Sequence, residues 1–390
     1  MPYRTDRNVP AEGSAGLTRR EHQKTRTEAR LRNALGPPLR RGGPRQSWKR
    51  ALQEILWTHN DRHATKPKSV SFKTQSERAA GLFRCFRDLH ALGYKIRNPY
   101  CLGGRHVRAL VQDWTSPEPR ARRRTLSPSM VQTELSHLRT LAGWIGKPGL
   151  VLPAESYVAD PALVTRRSAA TEDRSWPAHG VDPQSTIEEI TAHDPWIGAQ
   201  LRLARAFGLR IKEAVMIQPR LAERPAGDGP ARSAPMDGYL AVKRGTKGGR
   251  LRLVPIDSSA KRDALDAAKA LVRSDSAFLA DPARTLVQNL NRLTNVMKKF
   301  GVTQETLGVT PHGLRHEYAG DRYEALAGVP PPVRGGAATD RASDATARLQ
   351  VAEDLGHARR QISSAYLGSP RSARPHERAS GPDPTEEPGA

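Results

Sequence analysis

Apolar residues recur every three or four positions through most of this chain, a spacing that predicts a mainly α-helical protein. In SWKRALQEILW, Trp48, Leu52, Ile55 and Leu56 fall on one helical face, with Ser47 placed as the N-cap. A second helix, from Ser69 to Leu92, carries Phe72, Ala79, Leu82, Phe83, Phe86 and Leu89 and stops at Gly93. The chain then turns at Gly103 and Gly104 into a third helix bearing Val107, Leu110, Val111 and Trp114, followed by a charge run from Arg120 to Arg124 in a Pro-flanked loop. Ser127 and Pro128 form an N-cap and first-turn proline pair, and Val131, Leu135, Leu138, Leu141 and Trp144 keep the helical period up to Gly146. Residues 47–150 therefore read as a small four-helix domain.

The period fades over 151–182, where Pro, Ala and charge gather, and this stretch reads as a linker. A second domain, 183–369, opens with a capping box of Ser185 and Glu188. A helix from Asp194-Pro195 carries Ile197, Leu201, Leu203, Ala204 and Phe207 to Gly208, and a short helix starting at Arg210 ends at Pro219. The convincing β signal is a hairpin: Tyr239, Ala241 and Lys243 alternate against Leu240 and Val242, GTKGG turns, and Leu251, Leu253, Val254 and Ile256 return. Helices follow over 258–272 and 284–300, and another opens after Pro311. A polar, Gly/Pro-rich insertion lies between Ala327 and Asp344. The fold class expected is thus mainly α with a small β-hairpin. Outside the two domains, 1–46 reads as a basic disordered arm and 370–390 as a disordered tail.

Charge narrows the class of partner. The 390 residues hold 63 Lys and Arg against 40 Asp and Glu, a net charge of +23. Such an excess points to a polyanion, and nucleic acid is the common one. Only Cys85 and Cys101 occur, so neither a disulfide framework nor a cysteine zinc site is expected. No apolar run has the length to span a bilayer, and the Arg-rich N-terminus lacks the apolar core of a secretory signal. The expected setting is cytoplasmic, at the nucleoid, with no membrane contact.

The chemistry concentrates between Pro311 and Gly368. His312, Arg315 and His357 offer cationic or hydrogen-bond-donating groups, and Tyr366 follows on a further helix. Such a set can hold a phosphate and present an oxygen nucleophile to it. A zinc reading of His312 and His316 fails on chemistry, because Gly313 stands where the glutamate base would be and Arg315 would repel a cation.

These residues resemble the signature of the tyrosine recombinases, the phage-type integrases: His-x-x-Arg-His in PHGLRH, Leu-Gly-His in DLGH, then the tyrosine of SSAYLG. Upstream, AFGLRIKEA supplies the expected arginine, Arg210, with Glu213, and the hairpin turn supplies Lys247, eight residues before Pro255, with Lys243 as its competitor. The resemblance implies an N-terminal core-binding domain and a C-terminal catalytic domain, with Arg210, Lys247, His312, Arg315, His357 and Tyr366 as the catalytic set. It implies DNA cleavage and rejoining through a phosphotyrosine, without metal, cofactor or ATP. Lys73, Arg105, Arg108, Arg139, Lys147, Arg166, Arg167 and Lys243 are the expected DNA contacts. Double-stranded DNA and other copies of the chain, as a tetramer on DNA, are the implied partners, with room for an accessory directionality factor. The 328–344 insertion is longer than the family pattern and reads as a surface loop over DNA or a partner contact. An inert DNA-binding accessory or repressor protein of the same fold, or a type IB topoisomerase, are the alternatives.

Overall fold

The computed structural model describes residues 47–64, 67–229, 236–337, 339–357 and 359–369, so the arm read over 1–46 and the tail read over 370–390 lie outside the described residues. The chain divides into two compact units, with the boundary between Arg167 and Ser168. No helix among the described residues is long and apolar enough to cross a membrane.

The first unit contains helices α1 (Trp48–His59), α2 (Phe72–Ala91), α3 (Gly104–Thr115) and α4 (Pro128–Trp144). Ser47 caps α1 and Ser127 caps α4, each accepting a hydrogen bond from a backbone N–H of the first turn. Helix α2 starts later than the apolar spacing suggested, because Ser71 rather than Ser69 accepts the capping bond, from Thr74. Leu52, Leu82, Phe86, Leu110, Trp114, Leu135 and Leu138 have no exposure and make the centre of the core, while Phe72 and Phe83 are only partly covered. The part of the linker reading that falls here is packed chain: Val151, Ala154, Tyr157 and Val164 belong to this same core.

A buried charge cluster crosses the unit. Glu134 has no exposure and accepts from Arg84 at 3.0 Å, from Cys85 Sγ at 3.7 Å and from His137 at 3.4 Å. Burial alone would raise its pKa, but bonds from His137 and Arg84 outweigh that and hold it at about 2. Arg122 turns inward onto Asp88 at 2.6 Å, and Asp113 accepts from the amide of Arg120 at 2.6 Å, so the charge run is a strap fastened to α2 and α3 and not a free loop.

The second unit is built on α6 (Pro195–Phe207), packed against α5 (Pro183–His193), α7 (Ile211–Met216), α9 (Ser259–Leu271) and α11 (Gly313–Ala327). The short helix α8 (Pro219–Ala222) leads into a three-stranded antiparallel sheet of β1 (Glu223–Arg224), β2 (Tyr239–Val242) and β3 (Arg252–Pro255), in that order. Helices α10 (Leu286–Lys299), α12 (Arg341–Asp354) and α13 (Ser364–Leu367) complete it. Helix α5 begins earlier than the Ser185–Glu188 capping box predicted: Asp182 is the cap, accepting from the Gln184 and Ser185 amides, and Pro183 fills the first turn. The hairpin forms, and the structure settles which residues it buries. Arg252 pairs with Val242 and is buried, as are Val254 and Ile256, whereas Leu251 is 53% exposed. The rest of the supposed linker is also packed, since Trp176 is fully buried and donates to the Thr310 carbonyl at 2.8 Å.

Candidate active site

The site begins at a glycine. Gly208 ends α6 with φ +60°, and a Cβ there would lie 2.5 Å from the Tyr318 ring, so only glycine fits. That turn buries Leu209 and sets Arg210 at the N-cap of α7, where its amide and its guanidinium donate to the two oxygens of Glu213 at 2.8 and 2.7 Å. The Gly208 carbonyl in turn accepts from Arg315.

Arg315, on the first turn of α11, has no exposure at all. Its guanidinium also donates to the Leu355 carbonyl at 2.6 Å and to Tyr366 Oη at 3.1 Å, and stands 3.4 Å from His357 Nε2. These partners fix the group in one orientation. Burial, against the pull of Tyr366, lowers its pKa to about 10, which still leaves it charged at neutral pH. Glu213 is equally buried, 3.9 Å from Arg315, and accepts from Arg252 at 2.7 Å. Burial pushes its pKa up, but Arg252 and Arg210 outweigh that and hold it at about 2. One carboxylate therefore faces three arginines, and the cluster is short of negative charge.

Three histidines ring the tyrosine. The His316, His312 and His357 ring centres lie 4.8, 6.0 and 6.0 Å from that of Tyr366. Burial, followed by the neighbouring His312 for His316 and by Arg315 for His357, lowers both pKa values to about 4. His312 stands at the solvent edge, and loss of solvent around the ring, then Arg315 and Arg210, lower its pKa as well. All three imidazoles are neutral at pH 7. Tyr366 itself is 8% exposed on the four-residue α13, its hydroxyl on Arg315 of the same chain.

Five of the six residues singled out from the sequence, Arg210, His312, Arg315, His357 and Tyr366, thus meet in one place. The sixth, Lys247, lies in the hairpin turn between β2 and β3, and its side chain falls outside the described residues. Sequence reasoning missed two neighbours. Arg252 hides inside a return strand of alternating apolar residues, and the signal for it was a charge opposite the buried Val242. His316 closes the His-x-x-Arg-His motif but is not in the expected catalytic set, yet its ring is the one nearest Tyr366, and its Nδ1 is buried without a hydrogen-bond partner. The eight expected DNA contacts divide. Lys73, Arg105, Arg108, Arg139, Arg166, Arg167 and Lys243 are exposed, although Arg166 also donates to the Ser129 carbonyl at 3.1 Å. Lys147 donates to the carbonyls of Tyr100 and Leu102 at 2.7 and 3.0 Å, and Arg139 to that of Leu152 at 2.7 Å, so these two join pieces of their own unit.

Comparison with known proteins places the chain. The sequence profile of the family described as Integrase matches residues 165–321, and that described as Phage integrase, N-terminal, matches 59–151. No curated protein is similar enough in sequence to match. Among solved structures, lambda integrase (residues 75–356) bound to DNA is 16% identical, with a TM-score of 0.46 over 81% of this chain and 96% of that one. The lambda integrase tetramer bound to a Holliday junction is 14% identical, with a TM-score of 0.47 over 94% and 92%. The Tn1549 transposon integrase in complex with circular intermediate DNA is 15% identical, with a TM-score of 0.43 over 83% and 97%. With an integrase profile matched in each of its two units, the chain belongs to the tyrosine recombinases, the phage-type integrases.

Proposed function

We propose that the protein is a site-specific DNA recombinase that cuts and rejoins duplex DNA through a 3′-phosphotyrosine at Tyr366, with the first unit as a DNA-binding domain and the second as the catalytic one. The observation that carries this reading is the Tyr366 hydroxyl 3.1 Å from the Nε of a buried Arg315 whose guanidinium is fixed in orientation by the Gly208 and Leu355 carbonyls. A phosphodiester resists attack because its charge repels nucleophiles and its leaving alkoxide is poor. Arg315 and Arg210 supply donors for the non-bridging oxygens and neutralise the charge that grows in the transition state. The Tyr366 oxygen bonds to phosphorus and the bond to the 5′ oxygen breaks. A neutral histidine accepts the tyrosine proton, with His312 at the solvent edge as the candidate, and His357 donates to the phosphate. Lys247 protonates the leaving 5′ oxygen. Because the phosphoester is conserved in the protein-linked form, attack by a 5′ hydroxyl reverses the step and no nucleotide is hydrolysed.

Exchange between two duplexes needs four such sites, so the reading includes a tetramer on DNA, with an accessory directionality factor as a further partner. Lys73, Arg105, Arg108, Arg166, Arg167 and Lys243 are exposed and remain the proposed backbone contacts. The test is a nicked suicide duplex carrying the attachment site of the element that encodes the protein. The wild type is expected to form a covalent protein–DNA adduct that Tyr366→Phe does not form. No adduct with wild type would return the chain to an inert DNA-binding role, and relaxation of any supercoiled plasmid without site preference would make it a topoisomerase.

A further inference from the structure

The insertion between α11 and α12 was expected to face DNA or a partner. It folds onto its own unit. Residues 331–336 form a tight turn in which the amides of Arg334 and Gly335 donate to the carbonyls of Pro331 and Pro332, at 2.8 and 3.1 Å. From that turn Arg334 reaches back across α11. Its Nη1 donates to Asp321 at 2.7 Å and lies 3.8 Å from Glu324, and its Nε donates to Asp173 at 2.9 Å. Gly320 makes the seat: a Cβ there would stand 2.5 Å from the guanidinium carbon, so the group lies flat on the helix where a side chain is missing.

Asp173 belongs to a strap, residues 170–176, that crosses the start of α11. A Cβ on Gly313 would meet the Arg174 carbonyl at 2.7 Å, which shows how closely the strap lies on the helix. At its other end the strap touches the tyrosine's own segment, where the Ala170 amide donates to the Ser364 carbonyl at 2.8 Å. The end of α13 is held between two pieces, since a Cβ on Gly368 would meet Val333 N of the insertion at 3.1 Å and the Ala170 carbonyl at 3.3 Å. Four residues of helix supply too few internal hydrogen bonds to hold a conformation alone. The position of Tyr366 is therefore set by what surrounds α13.

We propose that the insertion is an intramolecular brace, and that Arg334 is a positioning residue which clamps the 170–176 strap to α11 and thereby seats Tyr366 beside Arg315 of the same chain. This rests on the reading of Tyr366 as the nucleophile. Two variants of the full chain release the clamp by different routes. Arg334→Gln removes the charge, and Gly320→Ala pushes the guanidinium off its seat while adding a better helix former.

Hydrogen exchange and adduct formation on the suicide duplex are then measured together. Amide exchange over 364–368 is expected to rise about tenfold in both variants, and adduct formation at saturating DNA to slow by on the order of tenfold, while DNA affinity stays the same, because a displaced nucleophile costs rate and not binding. Arg334→Lys, which keeps the charge without the fork, is expected to recover part of the loss. Unchanged exchange over 364–368 in Arg334→Gln overturns the brace, as does an adduct rate that falls only in step with DNA affinity. If exchange rises in the variants but the wild type forms no adduct, the brace stands and the recombinase reading fails.

Discussion

Each unit of this protein buries a glutamate with no exposure at all, and each holds it at a pKa of about 2. The two clusters differ in their balance. Around Glu134, Arg84 and Arg122 meet two carboxylates, because Asp88 takes Arg122 at 2.6 Å, and the charges close on themselves. Around Glu213, Arg210, Arg252 and Arg315 converge on a single carboxylate, with three histidines kept neutral beside them. A balanced cluster is a structural joint. An unbalanced one leaves positive charge without a partner, and the Tyr366 hydroxyl lies against it, 3.1 Å from Arg315. On the proposed function, burial and a depressed pKa do not by themselves mark the site, and what distinguishes it is uncompensated charge beside the proposed nucleophile.

The largest separation between the clusters is expected in catalysis. Arg315→Ala should lower adduct formation by on the order of 10²–10³, the usual cost of one donor to a developing oxyanion, while Arg84→Ala should leave the rate at saturating DNA unchanged. Equal losses would erase the distinction. Stability gives a second contrast. Glu213→Gln strands the buried charge of Arg252 and Arg315 and should cost about 3–5 kcal/mol in urea unfolding, whereas Glu134→Gln, which leaves a part-exposed Arg84 and an Arg122 still paired with Asp88, should cost less. A DNA phosphate can replace the missing anion only in the second unit, so bound duplex should restore stability to Glu213→Gln and not to Glu134→Gln.

The smallest effect is in acid. His316 and His357 have folded pKa values of about 4 against an ordinary 6.5, so the unfolded chain binds more protons between those values. Their contribution is therefore fully present above pH 6.5 and is lost as pH falls towards 4. Glu134 and Glu213 lose theirs lower, between about 4.5 and 2, in both units alike. Thermal melting of the free protein should fall by roughly 5 °C from pH 6.5 to 4.5, and His316→Phe should flatten that slope. A slope that His316→Phe leaves unchanged would place the titrating groups elsewhere.

How far the sequence could be read follows from the same physics. Caps and apolar spacing are local signals, so Ser47, Ser127 and the Asp194–Pro195 start of α6 were legible from a few neighbouring residues. The start of α5 was not, because Ser185 with Glu188 and Asp182 with Pro183 are both valid openings and the backbone takes the one in which proline fills the first turn. The hairpin's existence was legible, but not which face it buries. Arg252 is inside only because Glu213, thirty-nine residues earlier, is there to receive it. In the same way nothing local in the insertion announced that Arg334 would be held by Asp173 and Asp321. The motif residues of the site stood out by type and order. The groups that orient them did not, since their roles are set by contacts distant in sequence.

The central claim is that the unbalanced cluster takes a DNA phosphate and that Tyr366 attacks it. Mass spectrometry of the nuclease-trimmed, protease-digested adduct tests this directly. The account predicts a nucleotide 3′-phosphate carried on Tyr366 in the SSAYLG peptide and on no other residue. A nucleotide found on another side chain, or an adduct that persists in Tyr366→Phe, would contradict it.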